Sequence, residues 1–232
     1  MKKLFVANWK RYLNTDESVA LWSELSNVSS EKFDLVVAPN HLAIDQIADK
    51  PNAHALAAQD AFYENEGAYT GIVSSEDLKE IGVSYVIVGH SERRAMGETD
   101  ETVAKKVEAV LKAQLIPIIC VGESKEERNE GKAQTKVQSQ VEVGCSLAPM
   151  GSQMIIAYEP IWAISKDGKG DPIKPEDAES MMSHIKELKG HRVLYGGSVK
   201  PKNIESFTSL ESCSGVLVGS ASTKLESLKN ML

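Results

Sequence analysis

Seven short apolar runs in this chain finish on residues that can do chemistry. The run at 4–10 closes on Asn8, Trp9 and Lys10. The run at 84–90 closes on His90, with Ser91 and Glu92 next, and the run at 154–160 closes on Glu159 and a proline. Others end at Gln59 and Asp60, at Cys120 with Glu123 just beyond, and on two glycine–serine turns, Gly196-Gly197-Ser198 and Gly219-Ser220. A carboxylate, an imidazole and an ammonium are the groups on which proton transfer and charge stabilisation draw. Each also has a plainer reading: a capping or solvated glutamate, a satisfied loop histidine, a surface lysine, ordinary tight turns. Cys120 reads as a small core residue within its run. What separates the two readings is whether the fold collects these ends in one place.

An eighth run, 33–39, completes the set of elements that must do the positioning. The runs are nearly continuous Val, Ile, Leu and Ala, which suits strands buried on both faces of a parallel sheet. Amphipathic stretches lie between them. Thr99 is an N-cap candidate ahead of a helix that puts Val103, Val107, Val110 and Leu111 on one side. Pro175 sits in the first turn of another that closes on Gly190. Eight strand–helix units in 232 residues is 29 per unit, close to the ~30 of a βαβ piece. No Pro/Gly/Ser-rich linker divides residues 1–232, so the expectation is an α/β chain forming one (β/α)8 barrel. An open doubly wound sheet is the rival, but the first strand lacks the GxGxxG turn. In a barrel, chemistry gathers at the C-terminal ends of the strands, which brings Lys10, His90, Glu159 and both glycine–serine turns to one rim.

The bulk properties narrow the partners. The chain is 42% hydrophobic and 25% charged, with a formal net charge of −7. That charge argues against nucleic acid, and an anionic ligand must be drawn in locally. No apolar run approaches the ~20 residues of a membrane helix, and the start is a poor signal peptide. Three separated cysteines suit reduced thiols in the cytoplasm, and five scattered histidines without metal spacing point to no metal.

The residues also carry a resemblance. "ANWK" (7–10), "VGHSERR" (88–94), "CVGES" (120–124), "AYEPIWAI" (157–164), "YGGSV" (195–199) and "LVGSAS" (217–222) occur in an order and spacing that resemble triosephosphate isomerase over essentially the whole chain. The resemblance implies interconversion of dihydroxyacetone phosphate and glyceraldehyde 3-phosphate, without a cofactor. It implies Glu159 as base, His90 as neutral electrophile and Lys10 as electrostatic anchor, with Asn8 beside the substrate oxygens and Glu92 holding Lys10. Cys120 becomes a neighbour behind the site. Phosphate falls to backbone N–H groups near Ser198, Gly219 and Ser220, and to Ser165 in a lid that begins after the Pro160-Ile161-Trp162 hinge. Proton transfer next to a carbonyl needs these types: a carboxylate near both carbons, and donors for the developing enediolate.

Some positions depart from the family pattern. "SKDGKG" follows Ile164, Ser220 replaces a glycine, Asp60 stands for an asparagine, and Ile72 for a glutamate that pairs with Arg93 across subunits. The connection at 61–74 is long for a strand-to-helix link and carries Phe62, Tyr63 and Tyr69. With the resemblance it reads as an arm of a homodimer whose tip, Thr70, steadies the partner's Asn8 and His90. A Schiff-base aldolase would need a lysine at a later strand end, and none is there. A barrel that only binds phosphate has no need of Lys10, His90 and Glu159 together.

Overall fold

In the computed structural model the chain forms a closed barrel of eight parallel strands in sequential order, β1 to β8, with β1 pairing β8. The structure describes residues 2–164 and 173–232. The elements are β1 (Lys3–Asn8), α1 (Thr15–Leu25), β2 (Phe33–Ala38), α2 (His41–Ala48), β3 (Ala55–Ala58), α3 (Ser75–Glu80) and β4 (Tyr85–Val88). There follow α4 (Ser91–Ala95), α5 (Asp100–Lys112), β5 (Ile116–Val121), α6 (Lys125–Asn129), α7 (Ala133–Gly144) and β6 (Ile155–Tyr158). The last are α8 (Pro175–Lys189), β7 (Arg192–Tyr195), α9 (Ile204–Thr208), β8 (Gly215–Val218) and α10 (Leu225–Lys229). Seven strands fall inside an apolar run and β1 starts one residue before its own, at Lys3; Asn8, His90 and Glu159 lie at or beyond the last residue of their strands.

The runs are apolar without alternation because both faces of each strand are covered. Leu4, Val6, Ile87, Ile118, Ile155, Leu194 and Leu217 point into the barrel and plug it. Phe5, Val37, Val86, Ile119, Ile156 and Val216 point outward beneath the helices. Truncating an inner residue such as Ile118, which is fully buried, leaves a hole its neighbours cannot close and costs about 2–5 kcal/mol.

The helices begin where capping chemistry starts them. The Thr99 side chain accepts the Thr102 N–H at the head of α5, whose Val103, Val107 and Val110 are fully buried while Leu111 is only partly covered. Pro175 opens α8, and Gly190 ends it in the left-handed conformation at φ 65°.

The strand period of two then aims the site. Leu4, Val6 and Asn8 alternate inward along β1, so the same parity carries to Lys10. Ile155 and Ala157 point inward along β6, so the next inward residue is Glu159. Ile118 and Cys120 share that face of β5, and the parity of Leu194 and Leu217 reaches Gly196 and Gly219.

Candidate active site

Glu159 lies at the C-terminal mouth of the barrel, 2% exposed. Its N–H is anchored to the Val121 carbonyl at 2.7 Å. One carboxylate oxygen lies 3.1 Å from His90 Nε2, and the other accepts the Ser91 N–H at 3.0 Å. Burial alone would raise this carboxyl. His90, the Ser91 N–H and Lys10 together outweigh burial and hold it below the ordinary carboxylate value, so the base rests ionised.

His90 is the N-cap of α4, and its Nδ1 accepts the Glu92 N–H at 3.2 Å. An Nδ1 that accepts carries no proton, so the neutral ring presents its N–H at Nε2. Burial pushes the imidazole down; the Glu159 carboxylate more than offsets this and lifts it above the usual histidine value. When Glu159 turns to a substrate that lift goes with it. Burial and Lys10 remain and lower the ring, against a smaller opposing pull from Glu92. Gly89 permits the turn into His90: its φ is +67°, and a Cβ there would lie 2.9 Å from both Arg94 Nη2 and Val103 Cγ2.

Lys10 is held from several sides. Its Nζ meets Glu92 Oε1 at 2.6 Å. Its backbone sits at φ 48°, a conformation uncommon outside glycine and asparagine. Two bonds hold it there: the Lys10 N–H to Asn8 Oδ1 at 3.0 Å, and Gln59 Nε2 to the Lys10 carbonyl at 2.8 Å. Gln59 also donates to the Ala38 carbonyl at 3.0 Å, tying together the loops after β1, β2 and β3.

These groups line a cavity of about 230 Å³ together with Ser198, Gly219 and Ser220, and a Cβ on Gly219 would lie 3.3 Å from Lys10 Cε. Among the described residues no acceptor takes the N–H of Ser198, Gly219 or Ser220. The Ser198 turn is braced by Asn203, whose side chain donates to the Ser198 carbonyl at 3.0 Å and accepts the Lys200 N–H at 2.7 Å. The turn after β8 is braced by Ser222 Oγ, on the carbonyls of Val218 at 3.0 Å and Gly219 at 2.7 Å. Free backbone N–H groups around a concavity form an anion site that needs no net positive surface.

The family model described as "Triosephosphate isomerase" matches residues 3–232. The chain belongs to the triosephosphate isomerase family. A triosephosphate isomerase of Roseiflexus sp. is 42% identical over 245 residues, covering 97% of this chain and 94% of that protein. Those of Caldanaerobacter subterraneus subsp. tengcongensis and Dictyoglomus thermophilum are 41% and 38% identical, covering 97% and 100% of this chain and 96% and 98% of theirs.

Within this family member the geometry brings Asn8, Lys10, His90, Glu159, Ser198, Gly219 and Ser220 to one cavity, with Glu92 on Lys10. Cys120 is fully buried directly behind the site, inside the barrel. Ser165 lies outside the described residues. Thr70 is an exposed residue of the 61–74 connection and does not line its own chain's cavity. That connection packs on itself: Phe62 stacks on Tyr63 at 4.2 Å, meets Tyr69 at 5.0 Å, and pairs with Ser74. Asp60 bonds Lys106 at 2.6 Å and Arg93 at 2.9 Å, so Arg93 has a carboxylate partner within its own chain.

One further group, marked in the sequence only by its place just beyond the fifth strand, makes contacts that the sequence did not show. Glu123 is fully buried. Its Oε1 accepts Tyr158 Oη at 3.2 Å and Trp162 Nε1 at 2.8 Å, and its carbonyl accepts the Ile161 N–H at 3.1 Å. Arg128 compensates its charge at 3.2 Å and lies over the Trp162 ring at 4.9 Å. One carboxylate thus grips the chain on both sides of Glu159. "KEERNEGK" reads as a solvated helix start, and α6 does begin there, capped by Ser124. Only the fold shows that its Arg128 reaches inward.

Proposed function

We propose that the protein interconverts dihydroxyacetone phosphate and D-glyceraldehyde 3-phosphate through an enediolate, as a cytoplasmic homodimer serving glycolysis and gluconeogenesis. The observation that carries this reading is a single cavity lined both by Glu159, His90 and Lys10 and by three backbone N–H groups that have no acceptor among the described residues. Those two sets of groups suit a short substrate that carries a carbonyl and a dianion.

At rest Glu159 and His90 satisfy each other. A substrate carbonyl entering the cavity competes for the His90 Nε2–H and frees the carboxylate. Glu159 then takes the proton from the carbon beside the carbonyl. The electron pair moves onto oxygen, where the His90 N–H and the Lys10 ammonium stabilise it. Glu159 returns the proton to the neighbouring carbon. Neutral imidazole is the stronger partner here, because it can donate to the developing oxyanion and be returned unchanged. Asn8, bonded to the Lys10 backbone, lines the same cavity. The lid expected beyond Ile164 lies outside the described residues.

The test is a coupled assay following glyceraldehyde 3-phosphate consumption, run on the unaltered chain and on Glu159→Gln. The amide keeps the shape but cannot take the proton. The expected loss in kcat is at least roughly 10²–10⁴-fold with the fold intact. Near-normal turnover in the variant removes Glu159 from the role of base.

A further inference from the structure

The charges at the cavity leave a shortfall. Lys10 is already paired with Glu92 at 2.6 Å, and Glu159 adds a second negative charge in the same cavity. The chain as a whole carries −7. A phosphate dianion entering here meets a local balance of one positive and two negative side chains. Neutral amides at Ser198, Gly219 and Ser220 orient it but bring no net charge.

One cation lining this cavity has no carboxylate partner among the described residues: Lys200. It follows β7 in the stretch that contributes Ser198, and lines the same cavity as Gly219 and Ser220. Its backbone is not loose. The Lys200 N–H is held by Asn203 Oδ1 at 2.7 Å, and the same Asn203 side chain holds the Ser198 carbonyl at 3.0 Å. A single side chain therefore fixes the spacing between the Ser198 amide and the root of the Lys200 side chain. The residue is exposed, so its ammonium stays hydrated and available, and its four-carbon stem spans several ångströms of the rim.

We infer that Lys200 is a substrate-binding residue, the counter-ion for the phosphate group beside the Ser198, Gly219 and Ser220 amides. This deepens the isomerase reading and rests on it. Lys200 attracts the dianion and holds it, while the amides fix its orientation. As an exposed pair across water, the contact has modest strength and strong salt dependence.

The experiment compares the unaltered chain with Lys200→Gln, Lys200→Glu and Lys200→Arg. Isothermal titration with inorganic phosphate is read beside kcat/KM for glyceraldehyde 3-phosphate, each over a range of ionic strength. Lys200→Gln is expected to weaken phosphate binding and lower kcat/KM together, by roughly three- to ten-fold at low salt. Lys200→Glu is expected to do more, and Lys200→Arg to stay near the unaltered chain. The loss should shrink as salt rises, and should be larger with the phosphorylated substrate than with D-glyceraldehyde. Phosphate binding and salt slope unchanged in both Lys200→Gln and Lys200→Glu would overturn the assignment, as would equal losses with and without the phosphate group. If the unaltered chain fails to isomerise triose phosphate, the functional reading falls, while the titration still decides whether Lys200 binds phosphate.

Discussion

Gly122 lies against the backbone of Glu159 so closely that a Cβ on it would fall 1.8 Å from the Glu159 carbonyl oxygen. The end of β5 and the residue just past β6 touch main chain to main chain, and the position of the base depends on that contact. Gly122→Ala must push Glu159 away. We expect about 1–3 kcal/mol of lost stability in urea unfolding, with kcat falling by more than the residual stability explains. An alanine variant with unaltered kcat would show that the base tolerates the shift.

The His90–Glu159 contact predicts a linked change in titration. In the unaltered chain Glu159 holds His90 above its usual 6.5. That raised value gives stability present below 6.5 and lost as pH rises through the folded-state value. In Glu159→Gln the main lift is gone; burial and Lys10 still lower the ring, and Glu92, the smallest of the contributions, still raises it. His90 then falls, and its burial costs stability at low pH. The imidazole should titrate lower in the variant by NMR. The stability gap between the two chains should be wider below 6.5 than well above it. A gap independent of pH would mean the two side chains are not coupled.

Glu123 makes a second positioning prediction. Glu123→Gln can keep the one oxygen that accepts both Tyr158 and Trp162 but loses the charge that Arg128 balances. Arg128 is partly exposed and also meets Asp177 at 3.4 Å, so the loss should fall below the ~3–5 kcal/mol of a fully buried pair. The expected kinetic signature is a fall in kcat with KM less affected, accompanied by a shift in Trp162 fluorescence. A stability loss with neither change would leave Glu123 a purely structural residue.

Polarisation by imidazole and ammonium requires no metal. Activity is expected to survive exhaustive EDTA treatment and dialysis. Loss that zinc or magnesium restores would replace this mechanism.

The homodimer reading rests on the 61–74 connection, where Tyr69 is 42% exposed and Ile72 38% exposed. Since Arg93 pairs with Asp60 in its own chain, the association would lean on apolar contact. Sedimentation at micromolar concentration should give about twice 25.3 kDa, and Thr70→Arg should be largely monomeric and poorly active. A fully active native monomer would refute it.

The barrel was legible because burial on both strand faces leaves a local imprint: eight apolar runs at a steady interval. Glu159, His90 and Lys10 were legible because strand ends and motif spacing mark them. Gln59 and Glu123 were marked as strand-end residues, but what they hold was not legible, and Asn203 was not marked at all. Gln59 and Glu123 reach across 49 and 39 residues, to the Lys10 carbonyl and to Trp162, and Asn203 acts on the backbone of a turn. Such contacts leave no periodicity. Asp60 shows the same limit. As a letter it is a departure from the family pattern; in the fold it is the carboxylate between Lys106 and Arg93.

The amide lining of the cavity has a pharmacological consequence. An inhibitor that grips the N–H groups of Ser198, Gly219 and Ser220 takes hold of atoms that nearly every amino acid supplies. Most point mutations there leave those donors in place. Resistance would have to come through proline, which deletes an N–H, or through insertions that move the turns, and either change would also impair recognition of the natural phosphate.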